Sequence, residues 1–225
     1  MREKIEVLDL LDLRYTIAAG LFEGCKYPWE ALERIGAFIQ ALGETLPAEE
    51  YEHPQADVWV SKRAQVFASA YIAGPCIIDH DAQVRHGAFI RENAIVGKGA
   101  VVGNSTELKN SVLFDGAQAP HYNYVGDSIL GHRAHMGAGA ITSNVKGDKT
   151  QVHVHGDDLE LATGLRKFGA VLGDGAEIGC NSVLNPGTVV GRESQVYPLC
   201  SVRGVVPERH IYKAANAILP KRAGL

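Results

Sequence analysis

Residues 58–114 read VWVSKRAQVFASAYIAGPCIIDHDAQVRHGAFIRENAIVGKGAVVGNSTELKNSVLF, and this stretch decides the fold. A bulky apolar residue occurs at every sixth position, and a mostly small residue stands two positions before each one. An α-helix needs apolar spacing near 3.6 residues and a half-buried strand needs spacing of 2, so neither element explains this period. A short strand followed by a tight turn, repeated many times, does explain it, and this is the hexapeptide pattern of a parallel β-helix. The bulky set is Val60, Val66, Ile72, Ile78, Val84, Ile90, Val96, Val102, Leu108 and Phe114, and the small set is Val58, Ala64, Ala70, Cys76, Ala82, Ala88, Ala94, Ala100, Thr106 and Val112.

The bulky residues are predicted to fill the interior of the coil, and the small ones to lie where the chain turns a corner. If three hexads make one coil, each coil pairs with the next through backbone hydrogen bonds at a spacing of about 4.8 Å. The pattern resumes over residues 130–142 and 172–202, and Pro207 ends it. The predicted fold class is therefore mainly β, a single-stranded parallel β-helix of hexapeptide repeats with an N-terminal helical appendage.

The repeat is interrupted twice. Sixteen residues separate Phe114 from Leu130 where three hexads need eighteen, so residues 115–127 are predicted to be irregular. A second interruption spans about residues 145–169, where basic residues, Lys146 among them, alternate with glycines. Irregular chain on a rigid scaffold is where function tends to lie, so both segments are candidates for the functional site.

The chain before the repeat is predicted to be helical. Apolar residues over 4–22 have mixed helical spacing, and a second helix is predicted to begin at Pro28, where a missing N–H costs little, and to end at Gly43. These helices are expected to pack on the β-helix or to cover its open end, because an uncovered coil edge invites edge-to-edge pairing. The tail beyond Pro207 is compatible with a helix from Ile211 to Ile218. The predicted domains are residues 1–56, the helical appendage and linker; 57–207, the β-helix; and 208–225, the C-terminal tail.

Composition excludes several classes of protein. The net charge of −4 gives no basic surplus for nucleic acid, and no apolar run approaches the roughly 20 residues of a membrane span. Residues 1–15 are rich in Glu, Asp and Arg, which is unlike a secretory signal, so a cytoplasmic location is predicted. The four cysteines are scattered without a CxxC pair, which favours reduced structural thiols over disulfides or a metal site. They are Cys25, Cys76, Cys180 and Cys200.

His121 is the first candidate for chemistry. An isolated histidine is more often an ordinary loop residue than a catalytic group. His121, however, follows a proline in the first interruption, close to Tyr122, Tyr124 and Asp127. An imidazole has a pKa suited to general-base catalysis near neutral pH. His121 is therefore predicted to be a general base.

The residues from Lys109 to Asn144 carry a family resemblance. The run from His121, HYNYVGDSILGHRAHMGAGAITSN, resembles the acetyltransferase half of the bifunctional N-acetylglucosamine-1-phosphate uridylyltransferase/glucosamine-1-phosphate acetyltransferases. The later run from Thr163, TGLRKFG, resembles the related sugar-1-phosphate nucleotidylyltransferase/acetyltransferases of archaea and bacteria. The resemblance covers about residues 56–207 and implies a left-handed β-helix, acetyl-CoA as cosubstrate, a homotrimer with sites between subunits, and a place in UDP-N-acetylglucosamine biosynthesis.

The resemblance also implies roles for individual residues. His121 matches the general base and Glu107 the glutamate that orients it. Arg91, Lys109 and Tyr124 match contacts to the sugar phosphate, and His135 stands where the family has an asparagine substrate contact. The implied acetyl-CoA contacts are Ala138, Asn144, Cys180 and Pro198. The family's further substrate lysine has no clear counterpart, because this chain is shorter beyond Asn144, and Lys146 is one candidate for it. Acetyl transfer would then be direct, from acetyl-CoA to the 2-amino group of an amino-sugar phosphate or of a nucleotide-linked amino sugar.

The spacing of Arg91 and Lys109 supports the same site independently. They are eighteen residues apart, so they should stack on one side of successive coils, about 4.8 Å apart along the axis. Two cations so placed suit a phosphate group. Two solvated surface charges would show the same spacing, and it is His121, twelve residues after Lys109, that favours the phosphate interpretation.

The resemblance stops short of the fused relatives' other activity. Those proteins carry an N-terminal nucleotidyltransferase domain with a GxGTRM-type glycine-rich loop, which this sequence lacks. Pyrophosphorylase activity is therefore not expected, and a separate nucleotidyltransferase is a possible partner.

Two other functions compete with the acetyltransferase hypothesis. A sugar-nucleotide-binding or assembly module without activity is favoured by His135 and by the altered loop 145–169. A γ-class carbonic anhydrase shares the β-helix and the trimer and needs three histidines on zinc across a subunit boundary, but its spacing and flanking motifs do not match. The histidines available to it are His80, His86, His132, His135, His153 and His155.

Overall fold

A computed structural model of the protein describes residues 4–157, 159–214 and 217–221. Three columns of short parallel strands wrap around one apolar interior, and they are called faces A, B and C in the order in which each coil visits them. The predicted parallel β-helix with an N-terminal helical segment is confirmed. Face A holds Val58–Ser61, Cys76–Ile78, Ala94–Val96, the second part of Glu107–Leu113, the second part of Tyr124–Leu130, Ala170–Leu172, Thr188–Val190 and Val205–Val206. Face B holds Gln65–Val66, Gln83–Val84, Val101–Asn104, Gln118–His121, His135–Met136, Glu177–Ile178, Gln195–Val196 and His210–Ala214. Face C holds Tyr71–Ile72, Phe89–Ile90, the first part of Glu107–Leu113, the first part of Tyr124–Leu130, Ile141–Thr142, Val183–Leu184 and Ser201–Val202.

The interior is filled by the predicted apolar columns, with two corrections. Val66, in the first strand of face B, is 39 % exposed. Leu113 pairs with Val96 on the preceding coil and with Leu130 on the next, and it is Leu113 that enters the interior. Phe114 points outward instead, and its ring lies 5.7 Å from that of Phe22 in the N-terminal segment. Interpreting Phe114 as the tenth interior residue was wrong, because the repeat loses one residue at the preceding corner.

The first predicted interruption is not irregular chain. Residues 118–121 and 124–130 are strands that pair in register with the coils on both sides. The missing residue is absorbed where two long strands run through a corner, at Asn110 (φ 49°) and Asp127 (φ 46°). Asn and Asp tolerate this left-handed conformation better than most side chains, so a tight turn without an additional residue is possible there. His121 therefore lies on the rigid coil and not in a loop.

The N-terminal segment packs along the outside of face A. The second predicted helix is present as a 3₁₀ turn, Pro28–Arg34, followed by the α-helix Ile35–Gly43. The first predicted helix is reduced to Val7–Leu10, and the remainder of residues 4–22 forms 3₁₀ turns at Leu13–Tyr15 and Ala19–Phe22. Outward-facing apolar residues of face A receive this segment as a second core, which includes Ile77, Ile95, Val112, Ile129 and Val171.

Contact between this helix and the β-helix is close. A Cβ atom on Gly43 would lie 2.4 Å from the Trp59 ring, so only glycine fits at the end of the helix. The Trp29 ring lies 5.6 Å from Phe168, which belongs to the second interruption. Both the appendage and the interruption are thereby fixed against the same side of the coil.

The second predicted interruption is a true excursion from the coil. The strand Ile141–Thr142 is followed by a loop, an antiparallel hairpin of His153–His155 with Glu160–Ala162, and a return to the coil at Ala170. The hairpin backbone passes so close to later coils that a Cβ on Gly187 or Gly204 would lie 2.4 Å from a carbonyl oxygen of His153 or His155.

Both ends of the β-helix carry an antiparallel strand. Tyr51–Gln55 pairs with Val58–Ser61, and Ala217–Pro220 folds back on His210–Ala214. The compatibility of the tail with a helix was misleading: Ile211 and Tyr212 continue face B by pairing with Gln195 and Val196, because unpaired groups at the coil's edge favour an added strand.

No helix within residues 4–157, 159–214 or 217–221 is both long and apolar enough to cross a membrane.

Candidate active site

A cluster of polar side chains lies on the outer surface of face C. Strand register places Glu107 opposite Phe89 on one neighbouring coil and opposite Tyr124 on the other. The Arg91 backbone N–H donates to the Leu108 carbonyl at 3.0 Å, which puts Arg91 beside Lys109 on the adjacent coil. The predicted stacking of the two cations is therefore present.

Each cation already has a carboxylate partner. Arg91 donates from Nη1 to Glu107 Oε1 at 3.0 Å, and 41 % of the Arg91 side chain is exposed. The ion pair raises the pKa of Arg91 above its usual range. Only one of the five N–H donors of an arginine is used in this bond, so the others can still receive an anion.

Lys109 is held more deeply than Arg91. Its Nζ lies 3.2 Å from Asp127 Oδ1, and the two side chains are only 16 % and 5 % exposed. Asp127 also accepts from the side-chain amides of Asn110, at 3.0 Å, and Asn144. The Asn144 side-chain amide in turn donates to the Tyr124 hydroxyl at 3.3 Å. The pKa of Tyr124 is raised, mainly by burial and to a lesser extent by the nearby carboxylates of Asp127 and Glu107. These residues form one hydrogen-bonded network that fixes the Tyr124 ring on the surface of face C.

His121 stands at the edge between faces B and C, and its residue is exposed. Its backbone N–H donates to Asn123 Oδ1 at 3.0 Å, and Asn123 is itself buried and donates to the carbonyls of Gly137 and Ala140. The backbone around His121 is therefore rigid while its imidazole faces solvent. Within the part of the chain that the structure describes, no hydrogen bond joins His121 to Glu107, whose carboxylate is held by Arg91.

The edge between faces B and C aligns His121 with three of the predicted cofactor contacts. Gly139 N–H donates to the His121 carbonyl, Asn181 N–H to the Ala138 carbonyl and Leu199 N–H to the Cys180 carbonyl, each between 2.8 and 3.0 Å. Ala138, Cys180 and Pro198 therefore follow His121 on successive coils toward the C-terminus. This line of residues is called the edge column.

A shallow groove of about 340 Å³ runs beside the edge column on face B. Its floor is backbone, because a Cβ on Gly137 would lie 2.7 Å from the Cys180 nitrogen and one on Gly179 would lie 2.3 Å from the Pro198 nitrogen. The exposed Cys180 and Pro198 line one side, and His135, whose Nδ1 lies 3.0 Å from Glu177 Oε2, lines the other.

The predicted site residues thus fall into two groups, one at face C and one at face B and its edge with face C. Arg91, Glu107, Lys109, Tyr124 and Asn144 lie on or beside face C. Ala138, Cys180 and Pro198 lie in the edge column, and His135 lies in the groove on face B. Asn144 lies beside Tyr124, apart from the other predicted cofactor contacts, and His135 lies on a different face from the predicted sugar-phosphate contacts.

Sequence reasoning gave no role to Asp127. It accepts from Lys109, Asn110 and Asn144 while only 3 % exposed, which makes it the centre of the face C network. A signal was available, since Asp127 follows Asn110 at the interval of the shortened coil. That interval is visible only once Leu113, and not Phe114, is aligned with Leu130.

The histidines considered for zinc are scattered, and each has a local partner. His80 contacts Asp79 and Glu50, His86 lies 2.7 Å from Ser69 Oγ, and His132 lies 2.8 Å from the Asp115 carbonyl oxygen. His153 and His155 approach Glu160 on the excursion hairpin. Among the described residues of this single chain, no three His, Cys, Asp or Glu side chains are arranged to hold a metal ion.

Parts of this chain are similar to known proteins. The family model described as "GMPPB C-terminal domain" matches residues 72–165. A bifunctional sugar-1-phosphate nucleotidylyltransferase/acetyltransferase of Sulfurisphaera tokodaii is 35% identical over 92 residues, 41% of this chain and 23% of that protein. The bifunctional protein GlmU of Methanococcus vannielii is 35% identical over 118 residues, 52% of this chain and 28% of that protein. Among solved structures, the UDP-N-acetylglucosamine acyltransferase of Francisella novicida aligns with 14% identity and a TM-score of 0.44 over 72% of this chain and 67% of that one.

The aligned part of this chain spans about a quarter of the length of the curated relatives that it matches. The hexapeptide repeat, the coil geometry and the sequence similarities together identify the β-helix as a hexapeptide-repeat domain similar to that of the bifunctional GlmU proteins.

Proposed function

We propose that this protein transfers an acetyl group from acetyl-CoA to the amine of an amino sugar that carries a phosphate or a nucleotide on its first carbon. The observation that carries the proposal is the position of His121. Its exposed imidazole stands on a rigid edge at the start of the edge column, three residues before Tyr124 of the face C network. A base between a thioester site and an amine site is what direct acetyl transfer requires.

In the proposed reaction the sugar amine attacks the thioester carbonyl carbon of acetyl-CoA. His121 removes a proton from the amine as the C–N bond forms. The C–S bond then breaks, and the imidazolium returns the proton to the departing thiolate, so the products are the N-acetyl sugar and coenzyme A. Backbone N–H groups near Ala138 or Cys180 are proposed to stabilise the oxyanion that develops on the carbonyl oxygen.

The sugar phosphate is proposed to bind at Arg91. That guanidinium is the more exposed of the two cations and keeps unused donors, whereas the Lys109 ammonium is mostly buried against Asp127. A bound phosphate would compete with Glu107 for Arg91. Glu107 is then free to assist His121, which is the orienting role that the family resemblance implies for it. Tyr124, fixed by Asn144, is proposed to pack against the sugar.

The cosubstrate is proposed to lie along the edge column. Ala138, Cys180 and Pro198 lead from His121 toward the C-terminus beside a groove whose floor is backbone. A narrow acyl-pantetheine arm suits such a floor, since amide groups of the arm can pair with backbone and no side chain obstructs it. Asn144 is proposed to act by holding Tyr124 in position.

His135 is proposed to complete the site from another copy of the chain. It lies on face B, so it cannot reach the face C network of its own coil. In the proposed homotrimer, face B of one copy lies near face C of the next. Light scattering is expected to show a trimer at micromolar concentration, and a monomer would contradict this part of the proposal.

The proposal is tested by acetyl-CoA consumption against a panel of amino-sugar 1-phosphates and nucleotide-linked amino sugars. Release of the coenzyme A thiol with at least one member, and not with the matching N-acetylated sugar, is expected. Absence of thiol release across the whole panel would contradict acetyl transfer to these amines.

A second function is favoured by one specific observation. In the structure Glu107 is hydrogen-bonded to Arg91 and not to His121, so within residues 4–157, 159–214 and 217–221 the base lacks the orienting carboxylate that the resemblance implied. A catalytically silent module that binds a sugar nucleotide, or that assembles with a nucleotidyltransferase, would show this arrangement. Binding of sugar phosphates without turnover in the same panel would support this second function over the first.

A further inference from the structure

An aromatic pair continues the face C network toward the N-terminal end of the coil. Phe89 pairs in register with Glu107, and Tyr71 pairs with Phe89, so both rings belong to the column that contains Tyr124. The two rings meet edge to face with centroids 5.5 Å apart. Tyr71 is 61 % exposed and Phe89 is 41 % exposed, so their outer surfaces face solvent.

The directions in which the two proposed substrates extend along the coil give these rings a place in the acceptor site. In the proposed function the cosubstrate extends from His121 toward the C-terminus along the edge column, past Ala138 and Cys180. The acceptor therefore has only the opposite direction along the coil available to it. Successive strands are about 4.8 Å apart, so Phe89 lies about 10 Å and Tyr71 about 14 Å from Tyr124 along the axis.

A sugar 1-phosphate does not use this length. With its amine at His121 and its phosphate at Arg91, such a ligand ends at Arg91, two positions along the chain from Phe89. It therefore leaves the rings of Phe89 and Tyr71 uncovered. A nucleoside attached through a second phosphate would extend beyond Arg91 and place its base at the aromatic pair. Every nucleobase has a flat π-face that stacks on an aromatic side chain.

We infer that Phe89 and Tyr71 form a nucleobase platform, and that the acceptor is an amino sugar linked to a nucleoside diphosphate. This inference rests on the proposed function and selects one of its two substrate classes. Arg91 supplies the positive charge for the diphosphate between the sugar site and the platform. The mixture of one cation with two exposed rings fits a base and its phosphates better than it fits a purely apolar ligand.

The test measures binding in the absence of turnover. Calorimetry compares UDP, GDP, dTDP and ADP with inorganic pyrophosphate, using the full chain and its Phe89→Ala and Tyr71→Ala variants. Tyr15→Ala is the matched control, because Tyr15 is an aromatic residue of similar exposure, 40 %, in the N-terminal segment. At least one nucleoside diphosphate should bind more tightly than pyrophosphate.

Phe89→Ala should weaken binding of that nucleotide by roughly 5- to 150-fold, which is the loss expected for one stacked base, and should leave pyrophosphate binding unchanged. Tyr15→Ala should change neither. The inference is overturned if no nucleoside diphosphate binds more tightly than pyrophosphate, or if Phe89→Ala weakens the binding of the nucleotide and of pyrophosphate equally. It is also overturned if light scattering shows that Phe89→Ala yields a smaller assembly, since the rings would then be a contact between copies.

The nucleotide readout separates this inference from the proposed function. Nucleotide binding that depends on Phe89, without any acetyl transfer, would uphold the platform and reject the transferase. Acetyl transfer to a sugar 1-phosphate that is indifferent to Phe89→Ala and Tyr71→Ala would uphold the transferase and reject the platform.

Discussion

Replacing Asp127 with Ala should destabilise the protein strongly, because Asp127 is the buried acceptor of the face C network. The change leaves the Lys109 ammonium, 16 % exposed, without its carboxylate and removes the acceptor of two side-chain amides. Removing one member of a buried ion pair costs about 3–5 kcal/mol. The backbone at Asp127 has φ 46°, and an alanine there adds about 1–2 kcal/mol of strain.

Asp81 provides a matched control for this substitution. It too lies at a corner with a left-handed backbone, φ 58°, and it pairs with Arg63, but both side chains are largely exposed, at 43 % and 61 %. Asp81→Ala should therefore carry the same backbone strain and lose only an exposed ion pair, worth about 0–1 kcal/mol. The difference between the two variants isolates the effect of burial.

Urea unfolding followed by circular dichroism measures both free energies of unfolding. Asp127→Ala should lose at least about 2 kcal/mol more than Asp81→Ala. Adding Lys109→Met to Asp127→Ala should recover part of the loss, since no buried charge is then left unpaired. Equal losses for the two alanine variants, or no recovery with Lys109→Met, would refute the assignment of Asp127 as the centre of a buried network.

Three further predictions concern the coil, the edge column and the phosphate site. Gly103→Ala should prevent stable folding, because the new Cβ would lie 1.7 Å from the Pro120 carbonyl oxygen of the next coil; a soluble variant with native circular dichroism would contradict this. Iodoacetamide at pH 8 should modify the exposed Cys180 and not Cys76, whose pKa burial raises to about 12, and coenzyme A should slow the reaction at Cys180; mass mapping of the labelled peptides checks both statements. Arg91→Ala should weaken sugar-phosphate binding by about 1.5–3 kcal/mol and leave acetyl-CoA affinity unchanged, and calorimetry with each ligand separately would reveal the reverse pattern if the two half-sites were exchanged.

Much of the fold was predictable because the hexapeptide period is a direct consequence of coil geometry. Nearly every interior position holds an apolar residue, so the hexapeptide period is visible in the sequence from Val60 onward. The prediction failed by one residue at Phe114, where apolar residues are adjacent and Leu113 satisfies the interior as well. Spacing alone cannot show which of two neighbouring apolar residues turns inward when a corner is shortened.

The N-terminal segment was less predictable. The helix after Pro28 follows from local sequence, and it is present. The mixed spacing of residues 4–22 predicted a continuous helix, whereas these residues form short turns that follow the surface of face A. The positions of their apolar side chains are set by contacts with outward-facing residues such as Ile77 and Ile129, which are distant in sequence.

The stacking of candidate site residues on successive coils was predictable from the sequence, but the hydrogen bonds between their side chains were not. Arg91 and Lys109 stack as their spacing predicts, and the edge column brings Ala138, Cys180 and Pro198 into line with His121. The pairing of Arg91 with Glu107 depends on side-chain direction across a coil boundary, which a repeat pattern does not specify.

The acetyl-transfer rate of His121→Ala is the most direct test of the proposed function. The substrate is whichever amino sugar the panel identifies, and the control is His155→Ala, an exposed histidine on the excursion hairpin. The proposed mechanism predicts that His121→Ala lowers turnover by roughly 10²–10⁴, the usual contribution of a general base, while acetyl-CoA binding and the unfolding transition stay unchanged. His155→Ala should retain full activity. Near-normal acetyl transfer by His121→Ala would contradict the assignment of His121 as the base.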